Sequence, residues 1–73
     1  MKLNLDGAVA VITGAASGMG AELAVRMAAR GCRLALVDRD AAGLDSVSRR
    51  IAALRRAPVT THVADLADYQ TIR

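Results

Sequence analysis

Aromatic side chains are almost missing from this 73-residue chain: tryptophan and phenylalanine are absent, and Tyr69 stands alone. Sequence-tolerant binding of single-stranded nucleic acid relies on bases stacked on aromatic rings, so that class is excluded. Lys2 is the one lysine among 10 basic residues. The arginines are dispersed, with pairs at 49–50 and 55–56 on helix-like stretches. The net charge of +3 therefore reads as solvated helix surface, not as a basic groove. Cys32 is the only cysteine, which rules out an internal disulfide and suits a reducing compartment. It heads an apolar run and reads as a small buried residue. His62 has no second His or Cys at ligand spacing, which argues against a metal site. No apolar run approaches the roughly 20 residues of a membrane span. The N-terminus has one lysine, then Asp6 and Gly7 before a very short apolar stretch, and is no signal peptide. The expectation is a cytoplasmic protein with no nucleic-acid or membrane partner.

What is present is aliphatic. At 53% hydrophobic and 23% charged, the chain has the composition of an ordered domain whose core is Ala, Val, Leu, Ile and Met. Its length permits one small domain, which buries only about 60% of its unfolded surface. "AVAVIT" (8–13) is short, β-branched and bounded by Gly7 and Gly14, as in a strand buried on both faces. "SGMGAELAVRMAARG" (17–31) reads as a helix. Its stripe runs through Leu23, Met27 and Arg30, widened by Met19, Ala24 and Ala28, with Gly31 as the stop. "CRLALVD" (32–38) is a second strand ending in an acid. In "DAAGLDSVSRRIAALRR" (40–56), Leu44, Val47, Ile51 and Leu54 mark one helix face. Asp40 is its N-cap, and Ala57-Pro58 its end. "VTTHVAD" (59–65) is a third strand, and "LADYQTIR" (66–73) opens a third helix. Strands spaced by helices form right-handed parallel crossovers. The fold class is α/β: one β-α-β-α-β half of a Rossmann-like doubly wound parallel sheet.

The segment "TGAASGMG" (13–20) sits between the first strand and the first helix. A lysine-type phosphate loop needs Gly-Lys-Ser/Thr, and Met19 breaks that pattern. A dinucleotide loop fits, because its glycines must follow a strand and open a helix. Gly14 turns the chain off the strand. Gly18 offers bare backbone to a pyrophosphate, and Gly20 lets the helix lie close to the strand. The helix start then presents N–H groups and its positive dipole end, with Ser17 adding a hydroxyl. Asp38 follows at the end of the second strand, roughly 20 residues on, where an acid accepts hydrogen bonds from ribose hydroxyls. Its charge favours NAD over NADP. Arg39 beside it could neutralise a 2′-phosphate and keeps NADP open.

Thr-Gly-x-x-x-Gly-x-Gly resembles the cofactor fingerprint of the short-chain dehydrogenase/reductase family. "LDGAVAVITGAASGMGAELAVRMAARG" is similar to that family's opening, "LVDRD" to its second-strand ending and "HVADLAD" to its third. The resemblance implies that Gly14, Ser17, Gly18, Met19 and Gly20 surround the pyrophosphate and adenosine ribose, Met19 by its backbone. It makes Asp38 the ribose acid. It implies that Asp65 contacts adenine by its side chain and Leu66 by its backbone N–H. Residues 1–73 would then be the N-terminal part of an NAD(P)-binding Rossmann domain, short of the family's full length.

The family's catalytic Asn, Ser and Tyr-x-x-x-Lys lie well downstream of this region, so no catalytic residue is assigned here. Tyr69 and Arg73 form Tyr-x-x-x-Arg, in the wrong context and with a different donor geometry; Tyr69 reads as a helix-surface or packing residue. The resemblance implies an oxidoreductase moving hydride between a nicotinamide and an alcohol or carbonyl substrate. The alternative is a non-catalytic nucleotide-binding or interaction module. A methyltransferase also places an acid after its second strand, but the glycine spacing opposes that reading. Without the family's further strand beside the first, "AVAVI" becomes an apolar edge open to self-association.

Overall fold

The computed structural model describes residues 6–65. Its elements follow in the order β1 (Val9–Thr13), α1 (Gly18–Ala29), β2 (Arg33–Asp38), α2 (Ala41–Ala52) and β3 (Val59–Val63). The three strands form one parallel sheet, ordered β1-β2-β3. Val11 pairs with Ala35, and Ala35 with Thr60, so β2 is central. The sheet order advances one way, and right-handed crossovers then carry both helices to the same face. One core lies there: Ile12, Leu34 and Leu36 from the sheet meet Ala21, Ala24 and Ala28 of α1 and Leu44, Val47 and Ile51 of α2. Cys32 is buried among them, as its place in the sequence predicts.

The helix ends show how sequence becomes geometry. Ser17 caps α1, its Oγ accepting from Gly20 N. At the other end Gly31 takes φ +84°. There Gly31 N donates to Ala28 O and Cys32 N to Met27 O, the paired bonds that close a helix on a left-handed residue. Asp40 caps α2 through Oδ1, as expected. Three expectations need correction. α2 stops at Ala52, ahead of Ala57-Pro58. Leu54 and Arg55 N–H groups reach back only three residues, and Arg55 itself takes φ +53° to reverse the chain. Leu54 is therefore outside the helix and half out of the core.

The second correction concerns α1. Its buried residues are Ala21, Ala24 and Ala28, while Leu23 is 50% and Met19 88% exposed. Ala24 and Ala28, expected only to widen the stripe, are its buried members, Met27 is half-buried against the core, and Leu23 and Met19 are turned aside. The third concerns β1. It faces the core through Ile12, but Val9 and Val11 are 72% and 66% exposed on the opposite face, with no strand beyond them among the described residues.

Candidate cofactor site

Parallel strands bring their carboxyl ends to one edge of the sheet, and the site grows there. Gly14 leaves β1 with φ +66°, a left-handed turn that side chains resist. Ala15 N then donates to Val37 O at 3.2 Å, extending the sheet's register by one bond. Ser17 Oγ donates to Gly14 O at 2.7 Å while it caps the helix, so one hydroxyl closes the loop on itself. A Cβ at Gly20 would overlap the Gly14 carbonyl and crowd Ala15 Cα. The close approach expected of Gly20 is thus real, but it is made to the start of the loop rather than to the strand. A Cβ at Gly18 would meet nothing within 4 Å. That open space lies over the first turn of α1, where the N–H groups of Gly18 and Met19 have no intrahelical acceptor.

Asp38 ends β2 and holds the loop from the side. Its Oδ2 accepts from Ala16 N at 2.9 Å and its Oδ1 from Asp40 N at 3.0 Å. The Asp40 and Ala16 N–H groups, in that order, hold its carboxyl below the usual carboxylate range against some desolvation, and Arg39 adds to the effect. Asp38 is therefore a carboxylate at neutral pH. Beyond it Ala64 N donates to Asp38 O, carrying the chain past β3 to Asp65. Gly14, Asp38, Arg39, Ala64 and Asp65 line a cleft of about 160 Å³.

The cleft gathers Gly14, Asp38, Arg39 and Asp65 from three strand ends, with Ser17, Gly18, Met19 and Gly20 on the adjoining helix start. Leu66, Tyr69, Arg73 and the third helix lie outside the described residues. Sequence reasoning missed Ala16, whose backbone meets the acid. Only loop length could have hinted at it, since any residue has an N–H. It also missed Ala64, a wall of the cleft with no chemical signature. His62 lies exposed on β3 with Nε2 3.0 Å from Thr60 Oγ1. No cluster of His, Cys, Asp or Glu suited to a metal occurs among the described residues. Nor is any helix among them long and apolar enough to cross a membrane.

The residues present fit a dinucleotide: an open helix start for phosphate, bare backbone at Gly18 and a carboxylate at the cleft. Comparison with known proteins agrees. Residues 8–73 match the short chain dehydrogenase family. Galactitol 2-dehydrogenase (L-tagatose-forming) of Cereibacter sphaeroides is 46% identical over 61 residues, covering 84% of this chain and 24% of that enzyme. A short-chain dehydrogenase from Mycobacterium paratuberculosis, solved bound to NAD, superposes with a TM-score of 0.83 at 33% identity, over 94% of this chain and 30% of that one. A metagenomic short-chain oxidoreductase in complex with NADP gives 0.79 at 38% identity, over 89% of this chain and 29% of that one. The chain thus spans about a quarter of the length of the curated relatives it matches. The expected family is confirmed, and with it the half-sheet the sequence implied: the chain belongs to the short-chain dehydrogenases and carries the β-α-β-α-β opening of their fold.

Proposed function

We propose that this chain is the adenosine- and pyrophosphate-binding part of an NAD(P)-dependent oxidoreductase acting on a small alcohol or carbonyl compound. The observation that carries the reading is Asp38, an ionised carboxylate standing in the cleft beside an open glycine loop. When bound, the nicotinamide supplies the hydride chemistry. This chain's residues bind and orient. Gly18 and Met19 N–H groups face the pyrophosphate, and Asp38 accepts from the ribose hydroxyls through its remaining lone pairs. Asp65 and Leu66 border the adenine. Ser17 reaches phosphate only by giving up its bond to Gly14 O.

NAD is the preferred cofactor, because the Asp38 charge opposes a 2′-phosphate. Exposed Arg39 on the same cleft gives NADP a weaker hold. A cytoplasmic setting suits the single free thiol of Cys32. No Tyr-x-x-x-Lys pair occurs within these 73 residues, so proton transfer belongs to other parts of the enzyme. Calorimetric titration with NAD and NADP tests the reading: tighter binding of NAD is expected, and heat with neither overturns it. NAD binding in a whole protein whose reading frame lacks Tyr-x-x-x-Lys would favour the non-catalytic module instead.

A further inference from the structure

Gly43 is in the first turn of α2, away from the loop in sequence, and nothing about its backbone calls for glycine. It is helical and its φ is not positive. Alanine is the better helix former there. Space supplies the reason. A Cβ at Gly43 would stand 2.7 Å from the Ala16 methyl and 2.6 Å from Asp40 Oδ2. Non-bonded carbons settle at about 3.5–4.0 Å. The Asp40 carboxylate is the end of a flexible side chain and can swing aside. The Ala16 methyl has no torsion that moves it, so relief there must displace the backbone of residue 16. That backbone is the one whose N–H is held by Asp38.

We propose that Gly43 is a positioning residue for the glycine loop. It touches no cofactor. Its bare Cα is a seat for the Ala16 methyl, so that α2 braces the loop from behind while Asp38 holds it from the side. The consequence for binding rests on the dinucleotide reading above; the brace itself does not.

The test uses Gly43→Ala, Ala16→Gly and the double variant in the full chain. Amide hydrogen exchange is read across residues 14–20, and affinity by NAD titration. Gly43→Ala is expected to speed exchange at the Ala16 amide and to weaken NAD binding by about tenfold, a fraction of what a 1 Å misplacement can cost. Ala16→Gly removes the obstructing methyl. The double variant should therefore match Ala16→Gly alone in both readouts, within about twofold, as expected once the contact between the pair is gone. Unchanged exchange and affinity in Gly43→Ala, or no recovery in the double variant, overturns the proposal. Should Gly43→Ala fail to fold, folding of the double variant supports the brace and its failure overturns it. If the unaltered chain binds neither NAD nor NADP, the dinucleotide reading falls, and loop exchange still decides the brace.

Discussion

Both oxygens of Asp38 are engaged before any ligand arrives, and this makes one residue answer to pH. The bonds from Ala16 and Asp40 favour the charged form, so the folded pKa lies below that of the unfolded chain. A depressed carboxylate contributes stability that is present above its unfolded value, about 3.9, and is lost as pH falls through the folded value. The expected outcome is loosening of the loop below about pH 4, seen as faster Ala16 amide exchange relative to its intrinsic rate. Asp38→Asn should remove that acid transition. Its NH₂ must face one of the two N–H donors, so protection of the loop falls at neutral pH as well. An Asp38→Asn melt that keeps the original acid dependence would assign the transition to another group. An acid at the end of the second strand was legible in the sequence. The task the structure shows for it, holding Ala16, was not, because hydrogen bonds to backbone leave no mark in side-chain identity.

At the scale of the element, the two helices differ in how openly they announce their buried face. Leu44, Val47 and Ile51 of α2 are large and alone on their side, and they are the residues buried. In α1 large and small apolar residues compete. The side that packs is the alanine side, with Val25 and Met27 partly buried beside it, and Gly20, the third residue of α1, lies against the loop. Hydropathy ranks Met19 and Leu23 above alanine, but closeness of approach decides which face turns inward. The contrast is measurable by chemical denaturation. Ala24→Leu forces volume into a fully buried contact and should cost about 1–3 kcal/mol. Leu23→Ser should stay within about 0.5 kcal/mol, as at other exposed positions. Equal losses at both would mean that Leu23 is covered in solution. The early end of α2 was equally hidden: Arg55 adopts a left-handed φ usually left to glycine, so no residue type flagged the turn.

At the scale of the whole fold, both helices lie on one face of the sheet, and among the described residues nothing covers the other. Val9 and Val11 stand on that face along the β1 edge, an arrangement that invites strand pairing or face-to-face association. The 73-residue chain on its own is expected to sediment as species larger than a monomer. Val9→Lys and Val11→Thr together should shift it toward monomer with helix content unchanged. A monodisperse unaltered chain would show that the open face is harmless. The alternation of strand and helix, and hence the parallel half-sheet, was legible because each apolar run is too short to be anything but a strand. Which face of β1 remains open was not, since that depends on segments packed beside it and not on its own residues.

The parallel register has a kinetic corollary. The cleft walls come from the tips of β1, β2 and β3, and Ala64 and Asp65 arrive only when β3 has paired with β2. Paired residues lie 24 apart across the first crossover and 25 across the second, and neighbours in sequence are neighbours in the sheet, so pairing can proceed along the chain from one strand to the next. A nucleotide that grips all three tips therefore recognises the last docking event. The rate at which binding competence appears during refolding becomes a clock for completion of the sheet.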